Sequence, residues 1–145
     1  MRAGSDSDRS ASYYETYKRD MPSLDKLLQP LQDTPQIINV IPGKLLQEKN
    51  ITTLRDALRF VPGVAFNAGD GGQQGDVSPI RGFSARGDIF LDGLRDYEWR
   101  QETFNLDAVE VLKGPSSILF GRGSTGGVIN MVSKTPQLDT FYNVT

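Results

Sequence analysis

The chain has 145 residues, a length that suits one domain, and 37% of them are hydrophobic, which allows a modest core. Its formal net charge of -2 argues against a nucleic-acid-binding protein, because such proteins usually carry a strong basic patch. The sequence contains neither cysteine nor histidine, so it lacks disulfides, thiolate metal ligands and the commonest general base.

The first 30 residues are predicted to form a flexible arm. Residues 1–20 are polar and charged without a sustained period, so disorder is the default prediction. Leucines at helical spacing follow, but Pro30 limits any helix there to about two turns. Neither a membrane-spanning apolar run nor the apolar centre of a signal peptide is visible in the sequence.

One strand and two short helices are predicted in the first half of the chain. Residues 37–41 are rich in isoleucine and valine and predict a strand. A short helix is predicted over residues 42–48, with Asn50 as its stop. Thr52 is the predicted N-cap of the next helix, and the Pro-Gly pair at 62–63 ends that helix. Its apolar positions fall on one face: Leu54, Ala57, Leu58 and Val61.

The second half is predicted to consist of strands and polar loops. An Asp-Gly pair at 92–93 is a turn or bulge signal within one of the strands. The order of elements is mixed, which favours an α+β fold: a small mixed β-sheet with short helices and long glycine-rich loops. The predicted strands are 64–66, 77–83, 89–94, 108–112 and 128–132.

A glycine-rich segment at 109–134 is the most informative part of the sequence. It predicts a strand, a tight turn, a helical turn, a loop and a strand, with five glycines from Gly114 to Gly127. Since glycines cost entropy on folding, the shape of this loop is expected to matter. Three of them fit the GxGxxG pattern of dinucleotide sites, but the segment that follows predicts a strand where such a site needs a helix.

This segment closely resembles the signature of the plug domain of TonB-dependent outer-membrane receptors. Further matching segments occur in the family's order, and together they are most similar to the ferric-siderophore branch. The resemblance implies a periplasmic arm at 1–30, a plug at 31–136 and the start of a β-barrel at 137–145. We therefore expect a plug separated from its barrel. The further matching segments are 33–42, 54–64, 80–86 and 90–96.

The resemblance also implies a function and a set of partners. Such a plug blocks the lumen of a barrel in the cell outer membrane, contributes to the ligand site and transmits occupancy to TonB in the periplasm. The implied partners are a ferric siderophore, the chain's own β-barrel and TonB, with no nucleic acid. No cofactor or protein-bound metal is expected, because the siderophore wraps the iron. The arm has no clear TonB-contacting segment, since Glu15-Thr16-Tyr17 is a poor match. The segment either was trimmed upstream, which we favour, or is divergent in this chain.

Other functions remain open at this point. The plug could serve a receptor for cobalamin, haem or a sugar, or the chain could be a self-standing periplasmic signalling module. Enzymatic activity has little support, because no histidine could activate the serines at 116 and 117.

The resemblance places three loops, 67–75, 84–88 and 95–103, at one end of the domain as the floor of a ligand pocket. Aromatic rings there could pack against an iron chelate, and cations could attract an anionic one. The alternatives are that Trp99 is a buried anchor and that the arginines are solvated. The predicted ligand-binding residues are Gln73, Arg86, Arg95, Tyr97, Trp99 and Arg100.

Arg81 and Arg122 are the predicted barrel latch. In the family, arginines at the matching positions face carboxylates on the inner barrel wall, which suits the bidentate geometry of a guanidinium. The alternative is an internal ion pair, for example of Arg81 with Glu110 or Asp92. Both arrangements could hold together, because arginine has several donors.

Overall fold

The computed structural model describes residue 23 and residues 30–65, 79–85, 87–97, 102–121 and 126–136. These residues form an α+β fold with short helices, as predicted. None of the described helices has the length and apolar character that crossing a membrane would need. The elements are β1 (Ile37–Pro42), α1 (Gly43–Glu48), α2 (Leu54–Leu58), β2 (Pro79–Ile80), β3 (Phe83–Ser84), β4 (Ile89–Leu91), β5 (Leu94–Arg95), β6 (Leu106–Lys113), α3 (Ser117–Phe120) and β7 (Gly127–Ser133).

A five-stranded mixed sheet organises the described residues, with the strand order β1-β6-β7-β4-β5. The long strand β6 lies between β1 and β7 and is antiparallel to both. β4 is parallel to β7, and β5 returns antiparallel to β4. β2 and β3 form a separate two-stranded ribbon. The predicted mixed sheet is therefore confirmed.

The two central strands are buried on both faces. On one face, Val109 and Val111 of β6 and Ile129 of β7 pack with the apolar residues of α1 and α2. On the other face, Leu112, Val128 and Phe90 form a second apolar cluster, against which α3 packs. Burial on both faces explains why these strands contain nearly continuous apolar runs.

The predicted apolar face of α2 is confirmed, but its predicted N-cap is wrong. Thr53 caps the helix: it has an extended backbone, and its Oγ1 accepts a hydrogen bond of 3.2 Å from the amide of Asp56. The backbone carbonyl of Thr52 instead accepts from the amide of Thr103. Thr52 precedes the true N-cap by one residue, and its backbone is hydrogen-bonded to Thr103 instead of capping the helix. The predicted helical face is buried at Leu54, Ala57, Leu58 and Val61.

Two predicted strands are hairpins in the structure. The backbone φ angles are 51° and 83° at Arg81 and Gly82, and 50° and 79° at Asp92 and Gly93. Positive φ at both central residues is typical of the two-residue turns that match strand twist. The predicted strand 89–94 therefore divides into β4 and β5 at the predicted turn. Of the predicted strand 77–83, the structure describes residues 79–83. These residues belong to β2 and β3, which are separated by a turn that was not predicted.

Gly126 brings the β2–β3 hairpin against the central sheet. The amide of Gly114 donates to the carbonyl of Gly126 over 2.9 Å and closes the loop between β6 and β7. A Cβ at Gly126 would lie 2.5 Å from the carbonyl oxygen of Ile80 and 2.8 Å from Cβ of Phe83. Only glycine leaves room for this approach. The next element is β7, as predicted, and not the helix of a dinucleotide site.

Candidate functional site

Two of the three loops predicted to line a pocket meet where β4 begins. The guanidinium of Arg95 lies 3.9 Å from a carboxylate oxygen of Asp88. The amide of Asp96 donates to the carbonyl of Ile89 over 2.9 Å. These contacts join the end of β5 to the segment that precedes β4. The loop at 67–75 lies outside the described residues.

Arg95 is held in place from two sides. Besides its contact with Asp88, its guanidinium carbon lies 5.1 Å from the centre of the Phe90 ring, within the range of a cation–π contact. The Phe90 ring in turn packs against Phe120 of α3, with 4.4 Å between ring centres. The half-buried Arg95 is thus oriented by a carboxylate and an aromatic stack, although the sequence analysis left open a fully solvated position.

Tyr97 differs from Arg95 in its surroundings. It is 74% exposed and follows directly on the segment that carries Arg95. An exposed aromatic side chain beside an oriented cation is a suitable surface for a flat, anionic ligand. The other predicted ligand-binding residues lie outside the described residues: Gln73, Arg86, Trp99 and Arg100.

Arg81 lies exposed at the turn between β2 and β3, close to the end of β6. Its Nη1 would lie 3.7 Å from a Cβ at Gly114. The pKa of the neighbouring Lys113 is lowered, first by burial of its ammonium group and then by the positive charge of Arg81. The two side chains therefore form a cationic patch. Arg122, the other predicted latch residue, is not among the described residues.

The acceptors proposed for an internal pair with Arg81 have other partners. Glu110 Oε1 accepts from the amide of Ser23 over 2.7 Å, and Glu110 Oε2 accepts from Nδ2 of Asn130 over 3.3 Å. A carboxylate oxygen of Asp92 accepts from the amide of Ser133 over 2.8 Å. Both carboxylates thus already accept hydrogen bonds from other groups, and the latch and the internal pair both stay predictions.

The buried polar pair of Glu110 and Asn130 was not predicted from the sequence. The two residues are register partners on β6 and β7, and they are 0% and 1% exposed. Each is a polar residue with apolar neighbours on both sides in the sequence, Val109 and Val111 around Glu110 and Ile129 and Met131 around Asn130, which is the signal that could have revealed them.

No metal centre emerges from the residues that the structure describes. They contain no group of three or more acidic side chains that could hold an ion.

Most of the described fold and the residues around Arg95 lie within a segment that matches a known protein family. The family model described as "TonB-dependent Receptor Plug Domain" matches residues 30–128. The chain belongs to this plug-domain family. The match covers the five-stranded sheet up to the start of β7, together with Arg81 and the β4–β5 hairpin.

Relatives of this plug domain include two curated receptors. The probable TonB-dependent receptor BfrD of Bordetella pertussis is 41% identical over 133 residues, which are 90% of this chain and 18% of that protein. The catecholate siderophore receptor Fiu of Escherichia coli K12 is 41% identical over 119 residues, which are 79% of this chain and 16% of that protein. The chain thus spans less than a fifth of either receptor. Both are named as receptors.

A solved structure shares the architecture. The siderophore receptor PiuA from Acinetobacter baumannii superposes with a TM-score of 0.80 at 41% identity, over 88% of this chain and 18% of that one. The fold of this chain is therefore that of a plug region in a much longer receptor.

Proposed function

We propose that this chain is the plug of an outer-membrane receptor that imports ferric siderophores. The observation that carries the proposal is the family match over residues 30–128, joined to relatives that are named as siderophore receptors. In this function the plug closes the lumen of a surrounding β-barrel, contributes to the ligand site and passes ligand occupancy to TonB. We further propose residues 1–30 as the periplasmic arm and 31–136 as the plug, with residues 137–145 leading into the barrel.

The surface around Arg95 is the proposed ligand contact. Its guanidinium is oriented by Asp88 and Phe90, so a bound anionic chelate would meet a cation whose position is already fixed. The exposed ring of Tyr97 lies close by in sequence and offers a flat apolar surface. Since orientation before binding lowers the entropic cost of association, these two residues suit recognition of a ferric chelate. Gln73, Arg86, Trp99 and Arg100 remain part of the proposal.

The cationic patch of Arg81 and Lys113 is the proposed contact with the barrel wall. Arg81 adopts a positive φ that is uncommon for residues other than glycine, asparagine and aspartate. A backbone held in a disfavoured conformation frequently marks a functional position. Burial first and the charge of Arg81 second lower the pKa of Lys113, and carboxylates from a barrel would offset the repulsion between the two cations. Arg122 completes the proposed latch.

The proposal is tested in the intact receptor that carries this plug. The receptor is expressed in a bacterium without its own siderophore receptors, and uptake of radioactive iron is measured with catecholate and hydroxamate chelates. We expect uptake of a ferric siderophore that requires TonB. Uptake of cobalamin, haem or a sugar, with none of a ferric siderophore, would favour the alternative cargoes. A receptor that transports none of these contradicts the proposal.

The proposed ligand contact is tested with Arg95→Gln in the same receptor. We expect siderophore affinity to fall about tenfold, because one charge-assisted contact is lost. Arg59→Gln is the matched control, since Arg59 is an exposed arginine paired with Asp56 on α2. Equal affinities of the two variants would remove Arg95 from the ligand site.

A further inference from the structure

Three hydrogen bonds in series connect the β4–β5 turn to the N-terminal segment. The amide of Gly93 donates to Oδ1 of Asn130 over 3.0 Å. Nδ2 of Asn130 donates to Oε2 of Glu110 over 3.3 Å, and Oε1 of Glu110 accepts from the amide of Ser23 over 2.7 Å. The series links backbone groups that lie 70 residues apart through two side chains of the central strands.

The two side chains in the middle of this series are fully buried. Glu110 lies on the sheet face that also carries Leu112 and Val128, so its carboxylate has apolar neighbours on that face. A buried polar atom that loses its partner bears the full cost of desolvation, which is larger for a charged group. We expect the loss of either terminal donor to weaken the remaining bonds of the series, because hydrogen bonds in a chain polarise one another.

The β4–β5 hairpin carries the proposed ligand contact and one end of the series. Only Leu94 separates Gly93 from Arg95, and the hairpin is closed at its open end by the bond from Asp96 to Ile89. Its turn is fixed to β7 as well, because Asp92 accepts from the amide of Ser133. Arg95 and the amide of Gly93 therefore belong to the same short, closed hairpin.

We propose that Glu110 and Asn130 couple the ligand-contacting hairpin to Ser23, so that the hydrogen bond from the amide of Ser23 depends on the position of the hairpin. The carboxylate of Glu110 accepts this bond, and Asn130 orients that carboxylate from the other side. The inference rests on the proposed function only in naming the hairpin as the ligand contact. The bonds themselves are properties of this chain.

The decisive variant is Ser23→Pro, which removes the amide donor at Ser23 and leaves both buried side chains in place. The matched control is Ser23→Ala, which keeps that donor. Amide hydrogen exchange is measured by NMR in the 145-residue chain at Gly93, with the amide of Gly114 as the internal reference, because it bonds to Gly126 outside the series. We expect exchange at Gly93 to accelerate about tenfold in Ser23→Pro relative to Gly114, and to stay within about twofold in Ser23→Ala.

Three results would overturn the coupling. They are unchanged exchange at Gly93 in Ser23→Pro, equal acceleration at Gly93 and Gly114, and equal effects of the proline and alanine variants. A second pair of variants tests the docking point itself: Glu110→Gln is expected to accelerate exchange at both Ser23 and Gly93, whereas Glu102→Gln, at an exposed glutamate, is expected to accelerate neither.

These measurements need neither siderophore nor barrel. A receptor that transports another cargo would therefore leave the coupling standing, while normal exchange at Gly93 in Ser23→Pro would remove the coupling and leave the proposed transport function untouched.

Discussion

Arg81 shows how much a single residue of this plug can be constrained. Its position in a two-residue turn favours asparagine, aspartate or glycine, yet the chain places an arginine there. The guanidinium lies near Gly114 and contributes to the lowered pKa of Lys113. The positive φ and the repulsion of Lys113 are both unfavourable, whereas the amide of Arg81 donates to the carbonyl of Gly63 over 3.0 Å and helps to hold the turn.

The first prediction concerns the charge of Lys113. Arg81→Gln removes one of the two causes of its lowered pKa, so that pKa is expected to rise while the effect of burial remains. The measurement is an NMR titration of the Lys113 side chain in alkaline solution. Arg59→Gln is the control and should leave the Lys113 pKa unchanged.

The sign of the accompanying stability change follows from proton binding. Between the folded pKa of Lys113 and its higher ordinary value, the unfolded chain binds more protons, so stability rises with pH in that alkaline window. In Arg81→Gln the folded pKa of Lys113 is closer to its ordinary value, so this pH window is narrower. The increase in stability with pH should therefore be smaller. A Lys113 pKa that falls in Arg81→Gln would show that Arg81 does not repel this lysine.

Thr53 provides the second prediction at this scale. Thr53→Ala removes the side-chain acceptor for the amide of Asp56 and is expected to lower the free energy of unfolding by about 1 kcal/mol. Thr52→Ala changes the same residue type one position earlier, where only the backbone is engaged, and should have a much smaller effect. Urea denaturation of both variants measures the difference. A larger loss in Thr52→Ala would restore Thr52 as the helix cap.

At the scale of elements, a close approach joins the β2–β3 hairpin to the residue that precedes β7. Gly126 permits it because the carbonyl of Ile80 and the side chain of Phe83 occupy the space of a Cβ. The hairpin that presents Arg81 is therefore positioned by a glycine of the loop that precedes β7. This contact gives a steric reason for one of the five glycines in that loop.

Gly126→Ala is expected to destabilise the chain by about 1–3 kcal/mol, since one of the overlapping atoms belongs to the backbone and cannot rotate away. Thermal or urea unfolding gives the free energy. Ser117→Ala at the exposed start of α3 is the control and should change stability little. If Gly126→Ala has the same free energy of unfolding as the native chain, the β2–β3 hairpin can shift without cost. Gly126 would then not position that hairpin.

Sequence patterns predicted some elements correctly and missed others, for physical reasons. The buried face of α2 was predicted because apolar residues at a helical period report burial directly. The turn at Asp92-Gly93 was predicted because aspartate and glycine tolerate positive φ, whereas Arg81-Gly82 carries no such signal at its first position. The Glu110–Asn130 pair depends on the register of β6 against β7, which single-residue patterns do not contain.

At the scale of the whole molecule, stability depends on the apolar layer between the sheet and the two helices α1 and α2. Leu58 is fully buried in this layer, together with residues of β6 and β7. Leu94, in contrast, is 76% exposed on β5. The two leucines allow the core to be tested with one and the same substitution.

Leu58→Ala is expected to reduce the free energy of unfolding by about 2–5 kcal/mol, through lost transfer energy and a residual cavity. Leu94→Ala should change it by less than about 0.5 kcal/mol, because that side chain already contacts water. Urea denaturation followed by circular dichroism measures both. Similar losses in the two variants would mean that the layer is not the main source of stability.

Among the strands that the structure describes, the sheet ends on one side at β1, whose six residues pair with β6 along one edge. Among the described strands none covers its outer edge, and Ile37 at its start is 56% exposed. A free strand edge is a template onto which another polypeptide can add. The chain is therefore expected to self-associate through β1 as its concentration increases, and charged substitutions along β1 are the natural way to keep it monomeric.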